Sequence, residues 1–526
     1  MGRMFSTPTL SPFKCEVDIR LMRHLLVVHN VNYAVKAYRD RWVTPHDKDP
    51  LTVSMAEKID LLNRVTTEVK TNAKVFSGSA SLNLRGEDKY FASSEGSSIQ
   101  QYLLQSYGNL DATAVDRENN ISRSRSYVPT QAAAGWEDVP EMNLEENARR
   151  IREEVVEHLA APAVKPGKKD LLLMPNHLML TIHESVAHPT ELDRALGYEA
   201  NYAGTSYITP DKIGRRIASE HCTFIGDRTS PRALGTVGYD DDGVKATSFT
   251  IVDKGIFKSF QTTRDQAHLI GEKESHGCSQ ADSWATVPFQ RMPNVWMQAG
   301  PKHTTLEKLI SEIDEGVLID GRGSYSIDQQ RYNFQFGGDA FWEIKGGKKR
   351  GMISRVSYQA RTSDFWQACD ATAGPSYWRQ YGTTGHAKGE PTQINSISHG
   401  CSPTRFVAST SFLRTKMITR EEAQKICQQA LALTSIPECH VTLNASEQAY
   451  TRFANNGITT ASFNLRHNLS IVVTREGRTG SVSVNDLDPA SLKVAVKQAE
   501  ELAAIAPPNS ERLPAVRPQE FPLPLT

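Results

Sequence analysis

Hydrophobic positions recur at helical spacing in four stretches of the chain. Ala56, Ile59, Leu62, Val65 and Val69 line one helix face, as do Leu144, Ala148, Ile151, Val155 and Leu159. A Thr419–Glu422 capping box leads into a third face of Ala423, Ile426, Cys427, Ala430 and Leu431. Asp488-Pro489 opens a fourth through Leu492, Val496, Ala499 and Leu502. Strand-like runs lie between. Residues 80–84 and 89–93 flank Arg85-Gly86-Glu87-Asp88, which predicts a hairpin turn. Residues 248–252 and 256–260 flank Asp253-Lys254-Gly255, a second hairpin signal. Residues 332–336 and 340–344 stand on either side of Gly337-Gly338, after a short helix near 306–313. Further strands are predicted at 440–443, 462–465 and 470–474. Leu171-Leu172-Leu173-Met174 reads as a short buried strand, and Pro175-Asn176 then caps a helix over about residues 177–187.

At 526 residues the chain is too long for one core. Its 60 basic and 60 acidic residues balance, and no basic, aromatic-interleaved face stands out, so no nucleic-acid partner is implied. Seven scattered cysteines without a C-x-x-C suit free thiols in a reducing cytoplasm. No apolar run approaches the ~20 residues of a membrane helix. Arg20, Arg23 and His24 interrupt any secretory signal. These features predict a cytoplasmic protein with no membrane partner. Residues 82–96 and 443–457 also resemble each other, as a duplicated hairpin would.

Within the helix over about residues 177–187 the chemistry concentrates. His183-Glu184-Ser185-Val186-Ala187-His188 sets a carboxylate beside the first of two imidazoles. Paired imidazoles hold a divalent metal such as Zn2+, and the glutamate accepts a proton from a water that the metal activates. On a regular helix residues i and i+5 stand roughly 140° apart. Both histidines reach one metal only if the helix widens into a π-type turn or ends, as Pro189 favours. A catalytic zinc takes a third protein ligand, and His386, His399 and Cys401 are the candidates. Asp240-Asp241-Asp242-Gly243 lacks EF-hand spacing and reads as an acidic turn. Neither a nucleotide-binding glycine loop nor a G-x-S-x-G elbow is present.

The sequence around these residues resembles the TldD/PmbA family of metallopeptidases. The likeness runs through His183-Glu184-Ser185 and His188-Pro189-Thr190-Glu191-Leu192-Asp193-Arg194, then Gly197-Tyr198-Glu199 and Ala203-Gly204-Thr205-Ser206. It continues in Gly235-Thr236-Val237-Gly238-Tyr239-Asp240-Asp241, Asn333-Phe334-Gln335-Phe336-Gly337 and Lys388-Gly389-Glu390-Pro391. The resemblance implies cleavage of peptides or unfolded protein segments in an enclosed site. It implies a complex in which a metal-bearing TldD-type subunit joins a metal-free PmbA/TldE-type partner, or a homo-oligomer. In the family a cysteine before Gly-Lys-Gly-Gln-Pro is the third ligand. Here that position is His386, with Ala387 for the glycine and Glu390 for the glutamine.

The resulting expectation is an α+β protein. Residues 1–45 form a poorly defined segment and 46–165 an α/β domain. Residues 166–416 form a β-rich catalytic domain holding the metal-binding helix, with His183, His188 and His386 as ligands and Glu184 as general base. Residues 417–526 form a small α/β domain resembling the N-terminal domain of PmbA/TldE. That order departs from the family's, as a fusion or a misjoined reading frame starting at Met417 would produce, and the start of the chain lacks part of its own first domain. The alternative function is a catalytically inactive, partner-binding subunit or a truncated relic.

Overall fold

A computed structural model describes residues 36–130, 132–202, 204–412, 418–454 and 457–508. They divide into two compact α+β units, the first comprising 36–412 with 457–459 and the second 418–454 with 460–508.

The first unit opens with a helix-covered sheet. Ser54 caps the helix Met55–Val69 by accepting from the Glu57 amide. This helix and Leu144–Leu159 lie on a four-stranded sheet. Val65, Val69, Ala148, Ile151 and Val155 pack there against Leu110, Ala112 and Ala114. A Cβ on Gly78 would come 2.4 Å from Val69 Cγ1, so the glycine lets the helix settle onto the strands.

The turn predicted at 85–88 is absent. Val75–Ala92 is one strand, paired through Arg85↔Gln105, Gly86↔Leu104, Glu87↔Leu103 and Asp88↔Tyr102. The chain reverses at 93–97 instead, where Gly96 takes φ 101°, and returns as Ser98–Asp116. Gly86 stays extended because it serves packing, not turning: a Cβ there would meet Leu51 Cδ1 at 2.9 Å. Of the segment 1–45, residues 36–45 are described, and they contribute the strand Arg39–Val43, parallel to Ser98–Asp116.

The rest of the unit is built on two larger sheets. Gly167–Leu173 lies inside a nine-stranded mixed sheet, parallel to Glu315–Asp320 and antiparallel to Thr404–Phe412. Both its faces are covered, which explains the unbroken apolar run. Leu171 and Leu173 join a core with Leu178 and Ile182, whereas Leu172 packs on the other side with Leu309 and Ile313. A six-stranded sheet follows the order Arg379–Lys388, Gln393–Cys401, Asn294–Met297, Phe224–Asp227, Ser248–Asp253 and Ile256–Phe257. Lys254 and Gly255 take φ 47° and 80° in the hairpin turn that the sequence predicts. Arg125, on Ile121–Tyr127, joins the helix-covered sheet to the nine-stranded one through ion pairs with Glu154, Asp320 and Asp339.

The second unit contains the helices Arg420–Leu433, with its capping box formed, and Pro489–Ile505, capped by Asp488. Between them run Glu438–Ala454, Gly457–Arg475 and Arg478–Val484 in one three-stranded sheet. The runs at 462–465 and 470–474 thus belong to a single strand. Ala430, Leu469, Ile471, Leu492 and Val496 form the core. Both units therefore contain a long helix, three strands and a second long helix in the same order. The two mutually similar segments begin within the first long strand of each. The proline-rich tail beyond residue 508 lies outside the described residues.

Candidate metal centre

The buried strand Gly167–Leu173 feeds directly into the helix Pro175–Ile182, with proline at its first turn. The helix then widens. Residues His183–Ala187 form a π turn in which the His188 amide donates to the His183 carbonyl, a bond spanning five residues. A 3-10 turn, His188–Thr190, follows with Pro189 inside it. The widening and the proline-bearing end predicted from the spacing both occur. Side chains help hold the irregular backbone: the Thr190 hydroxyl donates to the Val186 carbonyl at 2.8 Å, and Trp366 Nε1 donates to Ser185 Oγ at 2.9 Å.

The turn brings the His183 and His188 rings to a centroid separation of 4.7 Å. His386 arrives from the edge strand Arg379–Lys388, with its ring 4.9 Å from His183 and 5.0 Å from His188. One nitrogen from each of the three rings lies within 4.8 Å of the others. All three side chains are buried. Burial pushes the imidazoles of His183 and His188 well below their ordinary value, and that of His386 down to about 3. The rings are therefore neutral near pH 7 and offer lone pairs.

Hydrogen bonds fix which nitrogen is free. His188 Nδ1 lies 2.8 Å from Glu191 Oε2. Glu191 is ionised: burial opposes this, but the charge of Lys388, the hydrogen bond to His188 and the charge of Arg194 outweigh it and hold the carboxyl well below its usual range. An ionised carboxylate only accepts, and at 2.8 Å it is a closer partner of this nitrogen than the Arg194 guanidinium at 3.3 Å, so His188 Nδ1 carries the proton and Nε2 is left. His386 Nδ1 lies 2.9 Å from Asn395 Oδ1, which also accepts from Arg291 Nη2 at 2.6 Å. A guanidinium only donates, so the asparagine atom there is oxygen and His386 Nδ1 is its second donor. His386 Nε2 is buried with no hydrogen-bond partner among the described residues. An orphaned buried acceptor among neutral imidazoles fits a divalent metal.

Glu184 lies beside the cluster, buried, and accepts from Arg331 Nη1 at 2.7 Å. Burial raises its pKa, and Arg331 and Arg194 oppose the rise. Lys388 is fully buried, with Nζ 3.0 Å from Glu191 Oε1, 2.9 Å from Asp193 Oδ1 and 2.9 Å from the Gln290 carbonyl. His399 stands behind His183 rather than within the three-ring group, its Nε2 2.8 Å from His183 Nδ1. Cys401 is buried against the Pro175 carbonyl at 3.7 Å. Glu191, Arg331, Asn395 and Arg291 received no role from the sequence. Glu191, three residues after His188, could have been found from helical neighbourhood; the others arrive from distant strands and turns and leave no local signal.

Comparison with known protein families extends this picture. Residues 166–395 match the PmbA/TldA metallopeptidase C-terminal domain, 48–161 the central domain of the same family and 441–503 its domain 1. The chain belongs to the PmbA/TldD metallopeptidase family. Its match to domain 1 follows the other two along the sequence. Curated relatives include a metalloprotease from Methanothermobacter thermautotrophicus, 26% identical over 318 residues, 60% of this chain and 66% of that protein. Another, from Methanocaldococcus jannaschii, is 25% identical over 341 residues, 64% of this chain and 71% of that protein. The chain thus spans about two thirds of the length of these relatives. Among solved structures, TldE from Thermococcus kodakarensis shares the fold with a TM-score of 0.54 at 17% identity, over 72% of this chain and 79% of TldE.

Proposed function

We propose that this PmbA/TldD family member is a zinc-dependent peptidase acting on peptides or unfolded segments. His183, His188 and His386 would hold the metal and Glu184 would be the general base. The observation that carries this reading is the convergence of three buried, neutral imidazoles beside a buried carboxylate. The relatives named metalloproteases support it. Zinc bound there supplies a Lewis acid that polarises a scissile carbonyl and acidifies a water.

The chain's own residues do the rest. Glu191, clamped by Lys388 and Arg194, orients His188 and strengthens it as a donor. Asn395 does the same for His386 without adding charge. Burial raises the basicity of Glu184, and Arg331 fixes its direction, so that the carboxylate takes a proton from the attacking water and returns it to the leaving amine. A third histidine in place of the family's cysteine leaves the ligand set one negative charge poorer, which favours a stronger Lewis acid.

We assign catalysis to residues 166–416 and an accessory role to 46–165 and 417–526. A PmbA/TldE-type subunit or a second copy is the proposed partner. The cytoplasm is the proposed compartment, in keeping with six free cysteines among the described residues. No described helix is long and apolar enough to cross a membrane.

Zinc per chain in purified protein, wild type beside His386→Ala, tests the reading. Near-stoichiometric zinc in the wild type and a large loss in the variant are expected. Zinc retained in full by the variant would remove His386 from the ligand set. No zinc in either after reconstitution would overturn the peptidase reading and favour a partner-binding subunit.

A further inference from the structure

Two of the three imidazoles in the cluster have an ordinary orienting partner, a carboxylate for His188 and an amide for His386. His183 has neither. Its Nδ1 faces another imidazole, that of His399, at 2.8 Å. The question is which nitrogen of that pair bears the proton, and the backbone answers it.

Asn294–Met297 and Gln393–Cys401 pair in parallel, which sets His399 beside Val295. His399 Nδ1 lies 3.0 Å from the Val295 carbonyl oxygen. A carbonyl oxygen only accepts, so His399 Nδ1 is protonated. The His399 ring is fully buried and no carboxylate among the described residues is bonded to it, so it is held neutral and its Nε2 has a bare lone pair. Two bare nitrogens 2.8 Å apart would repel, so His183 Nδ1 must donate across the gap. The proton positions then run from the Val295 carbonyl through His399 to His183, and the lone pair left on His183 is at Nε2. This is the same nitrogen that His188 and His386 present.

We infer that His399 is a positioning residue that holds His183 in the Nδ1-protonated tautomer and fixes its ring for metal binding. The inference rests on the three-histidine reading above. It also gives a role to a residue that the sequence offers as an alternative ligand: His399 Nε2 is already engaged as an acceptor, so it is not free to bind metal.

Two side chains separate this role from ligation. Glutamine can accept from His183 Nδ1 through its amide oxygen and donate to Val295 through its nitrogen, yet it is a poor metal ligand. Leucine fills similar space and does neither. Full-length wild type, His399→Gln and His399→Leu would be stripped of metal and titrated with Co2+, with the visible absorption of the bound ion and its dissociation constant read together. The expected result is an affinity and spectrum for the glutamine variant within about threefold of wild type, and a loss of roughly 10–100-fold for leucine, the size seen when orienting partners of metal ligands are removed. Wild-type affinity in the leucine variant would overturn the inference. So would equal losses in both variants with a changed cobalt spectrum, which would make His399 a ligand. Should His399→Leu fail to fold, nitrogen-15 NMR of histidine-labelled wild type decides: an Nε2-protonated His183 in the metal-free protein overturns the inference, and an Nδ1-protonated one supports it. Absence of cobalt and zinc binding by the wild type would instead defeat the underlying three-histidine reading.

Discussion

At the scale of single residues, burial governs the protonation of several histidines. His158 and His177 lie outside the proposed ligand set, and burial lowers both to about 4. Their ordinary value is near 6.5. Between those limits the unfolded chain binds protons that the folded chain refuses, so stability is fully present above about 6.5 and is lost as pH falls toward 4. Each imidazole contributes a slope of roughly 1.4 kcal/mol per pH unit in that window. Urea unfolding of His158→Leu from pH 7 to pH 4.5 should show a slope smaller by about that amount than wild type. An unchanged slope would mean that His158 titrates alike in both states. The residue scale also shows what the sequence carries. His183, Glu184 and His188 stand within six residues, so the metal-and-base arrangement proposed for them can be read without a fold. Arg331 sits 147 residues from Glu184, and only the completed sheets bring the two together.

Elements were legible where one periodicity dominated. The faces of Met55–Val69, Leu144–Leu159, Arg420–Leu433 and Pro489–Ile505 follow the helical repeat, and the first, third and fourth also have a side-chain cap at the start. The long ribbon Val75–Ala92 with Ser98–Asp116 was misread because its far end exposes charged residues and a glycine, the usual marks of a turn. Strand pairing continues through them because each has a partner across the ladder. Local capping gives a test at this scale. Thr419→Ala removes the hydroxyl that accepts from the Glu422 amide. A cap of this kind contributes about 1 kcal/mol. Amides in the first turn of Arg420–Leu433 should therefore exchange with deuterium roughly fivefold faster, with the rest of the unit unaffected. Equal rates would show that the helix start is held by something else.

Across the whole first unit, one buried arginine joins separate layers. Arg125 is 1% exposed and meets three carboxylates, Glu154 from the covering helix, Asp320 from the nine-stranded sheet and Asp339 from the turn before its strand Ala340–Lys345. Ser126 adds a bond from its amide to Asp339 at 2.7 Å. Removing one member of such a cluster leaves buried charge without compensation. Arg125→Met should lower unfolding free energy by about 3–5 kcal/mol, measured by urea titration. A loss under about 1 kcal/mol would mean that the carboxylates re-pair or take up protons at little cost. This contact was invisible in the sequence, because Arg125 lies in a strand that reads as plain polar alternation and its partners lie up to 214 residues away.

The wide turn at 183–187 governs how this part of the chain tolerates change over generations. It holds one residue more than the regular helical path, and each residue of an α-helix turns the chain by about 100°. Everything downstream, from Pro189 through Glu191 to Arg194, inherits that rotation, and Glu191 meets both His188 and Lys388 because of it. Exchanging Val186 within the turn alters local packing alone. Inserting or deleting a single residue re-aims every group behind it at once. The segment is therefore constrained in its number of residues as well as in the identities of His183, Glu184 and His188.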